Sequence, residues 1–303
     1  MSDKRFPTDH EAKQTILEVG RRMYMKNFVA ANDGNISCKV DDDVIWTTPT
    51  GVSKGFMDED MLVKMRLDGT VLSTGPLKPS SEIKMHIRVY KENPEVMGVT
   101  HAHPPICTSF AIAGIGLDKA IYPEALVNLG TVPCVHYETP GSQGIPDSIA
   151  PYCRDYNAVL LGNHGALSWG KSLIEAFYRL EAMEHYALIL MYTGNIIGKA
   201  NVLSCDQVKE LLDIRKSLGI NAGGVPLCAP KPTNLKDVVA PHSPIAQSSE
   251  QGKELKTYTP DDKDNKGDKD DKACGCSVSP ASNVVASDIE KITQEVLKRL
   301  KDL

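Results

Sequence analysis

The sequence predicts an α/β layered sandwich, a mixed β-sheet covered by helices on both faces, and three observations predict it. Short apolar runs between turn signals fill residues 35–73, the mark of hairpin-joined strands. Segments with apolar residues at three- and four-residue steps flank and interrupt them, which is the period of a helix with one buried face. The wholly apolar run Ala158-Val159-Leu160-Leu161 reads as a strand buried on both sides. Hairpins mixed with flanking helices call for a sheet with two covered faces.

The bulk numbers agree. With 303 residues, a formal charge of −5 and 41% hydrophobic residues, the chain can build one substantial core and something more. No apolar run reaches membrane-spanning length, and Met1-Ser2-Asp3-Lys4 opens without a signal-peptide core, so no membrane partner is expected. The mildly acidic balance gives no support for binding nucleic acid. The eight cysteines, at 38, 107, 134, 153, 205, 228, 274 and 276, are scattered without a disulfide-like framework. A reducing, cytoplasmic setting is expected.

Thr8 and Glu11 form a capping box for a first helix with Ala12, Ile16, Val19 and Met23 on one stripe, running down near Asn27-Phe28. Asn32-Asp33-Gly34-Asn35 turns into a strand in which Ile36, Cys38 and Val40 alternate. Asp41-Asp42-Asp43 leads to a strand over Val44–Thr48, followed by Pro49-Thr50-Gly51. A second hairpin, 62–67 with 70–73, turns at Asp68-Gly69.

Lys78-Pro79-Ser80-Ser81-Glu82 opens a helix with Ile83, Ile87 and Tyr90 on its apolar face, ending near Asn93-Pro94. Serines there cap the helix, or sit where backbone N–H groups and the positive helix end hold a phosphate. Glu82 in the first turn complements the helix dipole or serves a site. On these residues alone, both readings of each stand.

A strand over Val96–Thr100 delivers His101-Ala102-His103, stopped by Pro104-Pro105. Histidines two apart on an extended segment share a face and make half of a metal site, or simply satisfy hydrogen bonds. A short helix over 106–113, Tyr122-Pro123-Glu124, a strand over 132–138 and a helix over 148–156 follow. The buried strand at 158–161 then meets a sharp Asn163-His164-Gly165 turn and a second strand ending at Trp169. A histidine at that turn can aim into a site held by neighbouring strands, or can serve the turn's dihedrals.

A long helix over 173–191 buries Ala176, Phe177, Leu180, Ala187, Leu188 and Met191 and ends at Gly194, with His185 as a packing residue. A last domain helix spans 206–218 and stops at Gly219.

Composition then changes. Residues 226–244 hold five prolines, and 261–272 hold no apolar side chain. Such a segment cannot bury enough surface to offset its ordering entropy. The expected organisation is a folded domain over 1–226, a disordered linker over 227–285, and an amphipathic helix over 286–303. That last stretch has a capping box at Ser287-Asp288-Ile289-Glu290 and a stripe of Ile289, Ile292, Val296, Leu300 and Leu303. A helix this short needs a partner surface.

Gly34-Asn35, Thr50-Gly51, Pro79-Ser80-Ser81-Glu82, His101-Ala102-His103 and Asn163-His164-Gly165 occur in the order seen in class II sugar-phosphate aldolases, and residues 8–222 resemble that family. The resemblance implies a three-layer α/β/α sandwich, a homotetramer with active sites between subunits, and a sugar-phosphate substrate. It implies Zn2+ on His101, His103 and His164, with Glu82 as the catalytic carboxylate. Gly34, Asn35, Thr50, Gly51, Ser80 and Ser81 match the phosphate cradle, and Tyr122 matches a tyrosine lent by a neighbouring subunit. A second family tyrosine near the domain's C-terminus has no counterpart, because Lys216-Ser217-Leu218-Gly219 occupies that region.

The implied activity is zinc-dependent retro-aldol cleavage of a ketose 1-phosphate of the fuculose or rhamnulose type to dihydroxyacetone phosphate and lactaldehyde. Metal-dependent sugar-phosphate dehydratases and ribulose-phosphate 4-epimerases share the fold and are the alternatives. The epimerases carry Asp after the serine pair, where this chain has Glu82. Noncatalytic adducin-type modules lack the full histidine set that this chain has. The linker and terminal helix resemble encapsulation peptides, which implies a shell or core protein of a bacterial microcompartment as the partner of 286–303. The location implied is the cytoplasm, inside such a compartment.

Overall fold

Helix α1 (Asp9–Met25) starts at the capping box: Thr8 Oγ1 accepts from Glu11 N at 3.2 Å and the Glu11 carboxylate accepts from Thr8 N at 2.7 Å. The structure is a computed structural model that describes residues 6–73, 75–197 and 202–228. The linker expected over 227–285, apart from its first two residues, and the helix expected over 286–303 lie outside the described residues.

Among the described residues seven strands form one sheet: β1 (Asn35–Lys39), β2 (Val44–Thr47), β3 (Val63–Arg66), β4 (Gly98–Ala102), β5 (Cys134–Val135), β6 (Ala158–Leu161) and β7 (Gly165–Gly170). Their order is β3-β2-β1-β4-β7-β6-β5. Every pair is antiparallel except β5 with β6, so the sheet is mixed. The central strands β1, β4 and β7 are buried along their whole length.

Two apolar layers sandwich this sheet, because alternate residues of each strand point to opposite faces. Ile36, Cys38, Ala102, Leu160 and Ala166 pack on one side with Ile16 and Met23 of α1, Cys107 and Ala111 of α3 (Pro105–Ile112), and Phe177, Leu180 and Met183 of α6 (Leu173–Ile197). Val99, Val159, Leu161, Leu167 and Trp169 pack on the other with Met85 and Val89 of α2 (Ile83–Glu92) and Ile145 and Ile149 of α5 (Gly144–Ile149). Phe177 is fully buried, so truncating it to Ala would cost about 3–5 kcal/mol. A satellite cluster joins Leu126 of α4 (Pro123–Asn128) to Val208 of α7 (Cys205–Ser217).

Several elements differ from expectation. The helix expected over 148–156 is α5, which starts at Gly144, where Gly144 N donates to Ser142 Oγ at 3.1 Å. It gives way to a 3-10 turn at Ala150–Tyr152, since Pro151 brings no N–H. The strand over 132–138 shrinks to Cys134–Val135 beside Pro133, which lacks a donor. The second arm of the hairpin at 70–73 pairs only through Val71 with Met65. Helix α6 continues through Gly194, and α4, opened by Pro123, was not foreseen. His185 is exposed rather than packed in the core, its ring edge-on to Tyr122 at 5.8 Å.

One cysteine pair corrects the expectation of none: Cys205 and Cys228 form a disulfide. Leu203 N donates to Ala120 O, and Leu227 N to Asp118 O at 2.9 Å, so one segment holds both cysteines' neighbours side by side. The sequence separation of 23 residues hides that meeting. Leu227 and Cys228 thus extend the folded chain two residues into the stretch read as linker. No helix among the described residues is long and apolar enough to cross a membrane.

Candidate active site

The site forms where β1, β4 and the β6–β7 turn end beside the start of α2. Asn35 of β1 pairs in register with His101 of β4, and Ala102 pairs with Ala166 just inside β7. The turn from Gly162 to Gly165 therefore hangs next to His101 and His103. Asn163, not His164, takes the left-handed conformation in that turn, with φ 54°. His164 is thereby free to point inward. A Cβ on Gly165 would meet His103 Cδ2 at 2.7 Å and Ala102 O at 2.6 Å, so only glycine lets the strand pass the imidazole.

The three imidazoles converge. Ring centroids of His101, His103 and His164 lie 4.7–5.0 Å apart, and one nitrogen from each falls within 4.8 Å of the others. His101 Nδ1 lies 2.9 Å from Ala166 O, which can only accept, so that nitrogen carries the proton. His103 Nδ1 lies 3.3 Å from the Asp33 carboxylate, which assigns its proton in the same way. Both Nε2 atoms then present lone pairs, 3.2 Å apart. A shared cation relieves that opposition; neutral rings alone do not. Burial holds His101 well below the ordinary histidine range, and burial with the neighbouring His164 lowers His103 despite Asp33. Neutral imidazoles with fixed tautomers are what a divalent metal requires. The three residues fit a divalent metal ion.

Glu82 faces this cluster from the N-cap position of α2. Its Oε1 is 3.1 Å from His164 Nε2 and its Oε2 is 3.5 Å from His101 Nε2. Asn35 Nδ2 donates to Oε2 at 3.0 Å and reaches Ser80 Oγ at 3.3 Å. Oε1 is buried against His164 Nε2. Burial pushes the carboxyl's pKa up, but His101, His164 and His103 outweigh it, so Glu82 titrates well below the usual carboxylate range.

The other expected residues are brought to the same rim, with one exception. Thr50 N donates to Lys78 O at 3.0 Å and Ser80 N to Thr48 O at 3.3 Å, which sets Thr50-Gly51 against Ser80-Ser81. Gly34 and Gly51 both sit at positive φ, 76° and 73°. Neither serine side chain caps α2 in the usual way: Glu82 is the N-cap, and Ser80 Oγ accepts from Glu82 N at 3.3 Å. Tyr122 stands apart, at the start of α4 against the exposed ring of His185.

Two residues near the site were not foreseen. Asp33 read as part of a turn, yet it orients His103. Lys54, 1% exposed, donates to Asn32 O at 3.0 Å and to Val52 O, tying the loop before Gly34 to the loop after Gly51. Burial lowers its pKa to about 8 although Asp33 and Glu82 oppose the shift. A lone lysine in a loop gives no signal of this in sequence.

The chain is similar to several known proteins. The chain is 29% identical over 208 residues to the 3-oxo-tetronate 4-phosphate decarboxylase of Pectobacterium atrosepticum, covering 67% of this chain and 94% of the relative. It is 31% identical over 179 residues to the L-fuculose phosphate aldolase of Methanocaldococcus jannaschii, covering 59% and 95%. A solved L-fuculose 1-phosphate aldolase superposes with a TM-score of 0.63 at 26% identity, over 70% of this chain and 99% of that one. Residues 14–191 match the family described as Class II Aldolase and Adducin N-terminal domain, and the chain belongs to that family.

Proposed function

We propose that this chain is a zinc-dependent lyase that cleaves a ketose 1-phosphate, L-fuculose 1-phosphate or L-rhamnulose 1-phosphate, to dihydroxyacetone phosphate and L-lactaldehyde. The observation that carries the reading is a buried carboxylate, Glu82, set against the imidazoles of His101, His103 and His164, with Oε2 held by Asn35 and Oε1 3.1 Å from His164 Nε2. His101, His103 and His164 would hold the ion, which supplies Lewis-acid stabilisation of negative charge on the ketone side of the breaking bond.

The chain's own residues do the rest. Gly34, Asn35, Thr50, Gly51, Ser80 and Ser81 surround the start of α2, where backbone N–H groups and the positive helix end suit a phosphate. Holding the phosphate away from the reacting carbons orients the substrate with binding made elsewhere. Glu82 is ionised at neutral pH, so Oε1 can take the proton of the hydroxyl that becomes the aldehyde. The same oxygen can return a proton to the carbon left behind. Asn35 keeps the carboxylate from rotating while this happens.

A second reading is favoured by the decarboxylase relatives. Loss of CO2 from a 3-oxo-tetronate 4-phosphate also leaves a carbanion beside a phosphorylated ketone, and protonation also gives dihydroxyacetone phosphate. Only the departing fragment differs. Incubating purified, zinc-loaded protein with L-fuculose 1-phosphate, L-rhamnulose 1-phosphate and 3-oxo-tetronate 4-phosphate separates the two. Aldehyde release supports the aldolase reading, CO2 release from the third substrate alone replaces it with the second, and turnover of none refutes both.

The reading extends to assembly and location. Tyr122, whose ring lies against His185 in its own chain, would serve the site of a neighbouring subunit in a homotetramer. Residues 286–303, joined by the segment from 229 to 285, would attach the enzyme to a shell or core protein of a bacterial microcompartment in the cytoplasm. The stripe of Ile289, Ile292, Val296, Leu300 and Leu303 supports this, because an amphipathic helix docks by its apolar face in a groove. Confinement suits a reactive small aldehyde.

A further inference from the structure

Beneath the site, the buried interface between α2 and β1 is polar where an apolar one would be expected. Glu82 at the N-cap of α2 and His86 and Tyr90 within it recur every four residues, one face of a helix; Asn35, Ser37 and Lys39 recur every two on β1, one face of a strand. Four residues of helix rise about 6 Å and two of strand about 6.6 Å, so the rows run in step. The rungs are made. Asn35 Nδ2 meets Glu82 Oε2 at 3.0 Å. Ser37 Oγ lies 2.8 Å from both His86 Nδ1 and Tyr90 OH, and Tyr90 OH donates to Ser37 O at 3.1 Å. The Lys39 ammonium sits 5.9 Å from the Tyr90 ring centre. Asn35, Ser37, Lys39, His86 and Tyr90 are each 2% exposed or less.

Burying these groups carries a desolvation cost that aliphatic residues would avoid. Ile83, Met85 and Val89, which pack α2 on the sheet, give adhesion without direction. A hydrogen-bonded row fixes one register, and a slip of one helical turn would carry Glu82 about 5.4 Å from the imidazoles. His86 is fully buried, its Nε2 has no hydrogen-bond partner among the described residues, and Ser37 is its one hydrogen-bonded anchor among them.

We infer that His86 is a positioning residue: its Nδ1 bond to Ser37, with Tyr90 on the same serine, sets the register of α2 on β1 that aims the Glu82 carboxylate into the three-histidine cluster. This deepens the proposed function and rests on it.

The test uses full-length, zinc-loaded protein and exchange of the carbon-bound proton of dihydroxyacetone phosphate in D2O, a partial reaction common to both readings above. His86→Leu should exchange at least about tenfold more slowly at saturation, the usual loss when the outer support of a metal site is removed. Its half-saturating concentration should stay within about twofold, because the cradle is separate. His86→Asn, whose amide takes the Nδ1 position, should recover most of the rate, and Ser37→Ala should match His86→Leu. Equal losses in Asn and Leu, an unchanged rate in His86→Leu and Ser37→Ala, or a loss entirely in half-saturation would overturn the inference while leaving the proposed function standing. Absence of exchange by the wild-type protein would take down both. Should His86→Leu fail to fold, Ser37→Ala and Tyr90→Phe carry the comparison.

Discussion

Asn35 and His101 are direct cross-strand partners, and the same oxygen of Glu82 touches both, at 3.0 Å from Asn35 Nδ2 and 3.5 Å from His101 Nε2. One β-ladder rung thus presents the carboxylate's hydrogen-bond donor and an imidazole side by side. Helix α2 only has to start at the right height for the site to close.

The imidazole cluster should hold about one zinc per chain, by the three-ligand pattern of catalytic sites. His103→Ala should lose most of that zinc and keep its fold, because His103 lies at the site's rim and the layers around Phe177 and Trp169 do not involve it. Metal analysis and circular dichroism on the same samples check this. Full zinc content in the variant would remove His103 from the ligand set.

The cradle should act on binding rather than on turnover. Ser81→Ala should raise KM for the phosphorylated substrate by roughly tenfold, the worth of about 1.4 kcal/mol, with kcat changed much less. A fall in kcat at constant KM would place Ser81 in the chemistry instead of the phosphate contact.

Much of this site is legible in sequence, and the limits are physical. His101-Ala102-His103 before two prolines, and His164 in a glycine-flanked turn, carry their geometry in their neighbours. The polar residues of β1 do not. Alternation of Ile36 and Cys38 with Asn35, Ser37 and Lys39 is the pattern of a strand with a solvated face, but α2 covers that face and the polar row is buried. Periodicity reports which residues share a side; it cannot report what covers it. The Cys205–Cys228 pair and the orienting role of Asp33 were hidden for a related reason, since each depends on a contact between distant segments.

His86 also predicts a pH effect. Burial depresses its pKa from 6.5 to about 3, with Glu82 opposing the shift and Ser37 and Tyr90 as its uncharged neighbours. The unfolded chain therefore takes up a proton below about pH 6.5 that the native state refuses until about pH 3. Stability should fall as pH drops through that window, with this residue adding at most about 1.4 kcal/mol per pH unit. Denaturant unfolding of wild type and His86→Asn between pH 7 and 4 should show a shallower slope in the variant, by up to one proton. Identical slopes would mean that His86 is protonated in the native state.

Ending the chain at Cys228 should leave zinc content and cleavage kinetics unchanged, because every proposed site residue precedes it. Residues 286–303 fused to a fluorescent protein should be recruited in cells that make intact microcompartment shells, and Ile292→Glu with Val296→Glu should abolish recruitment. A diffuse fusion beside recruited full-length protein would move the targeting signal into the folded domain. Loss of activity on truncation would make the C-terminal stretch part of the enzyme.

The central claim is that Glu82 moves protons at a carbon beside the ketone, and deuterium exchange into dihydroxyacetone phosphate measures it without the second product. Zinc-loaded wild-type protein should exchange one carbon-bound proton with D2O. Glu82→Gln, which keeps the shape and removes the base, should be slower by roughly 10²-fold or more at equal zinc content. Exchange by Glu82→Gln at the wild-type rate would contradict the account.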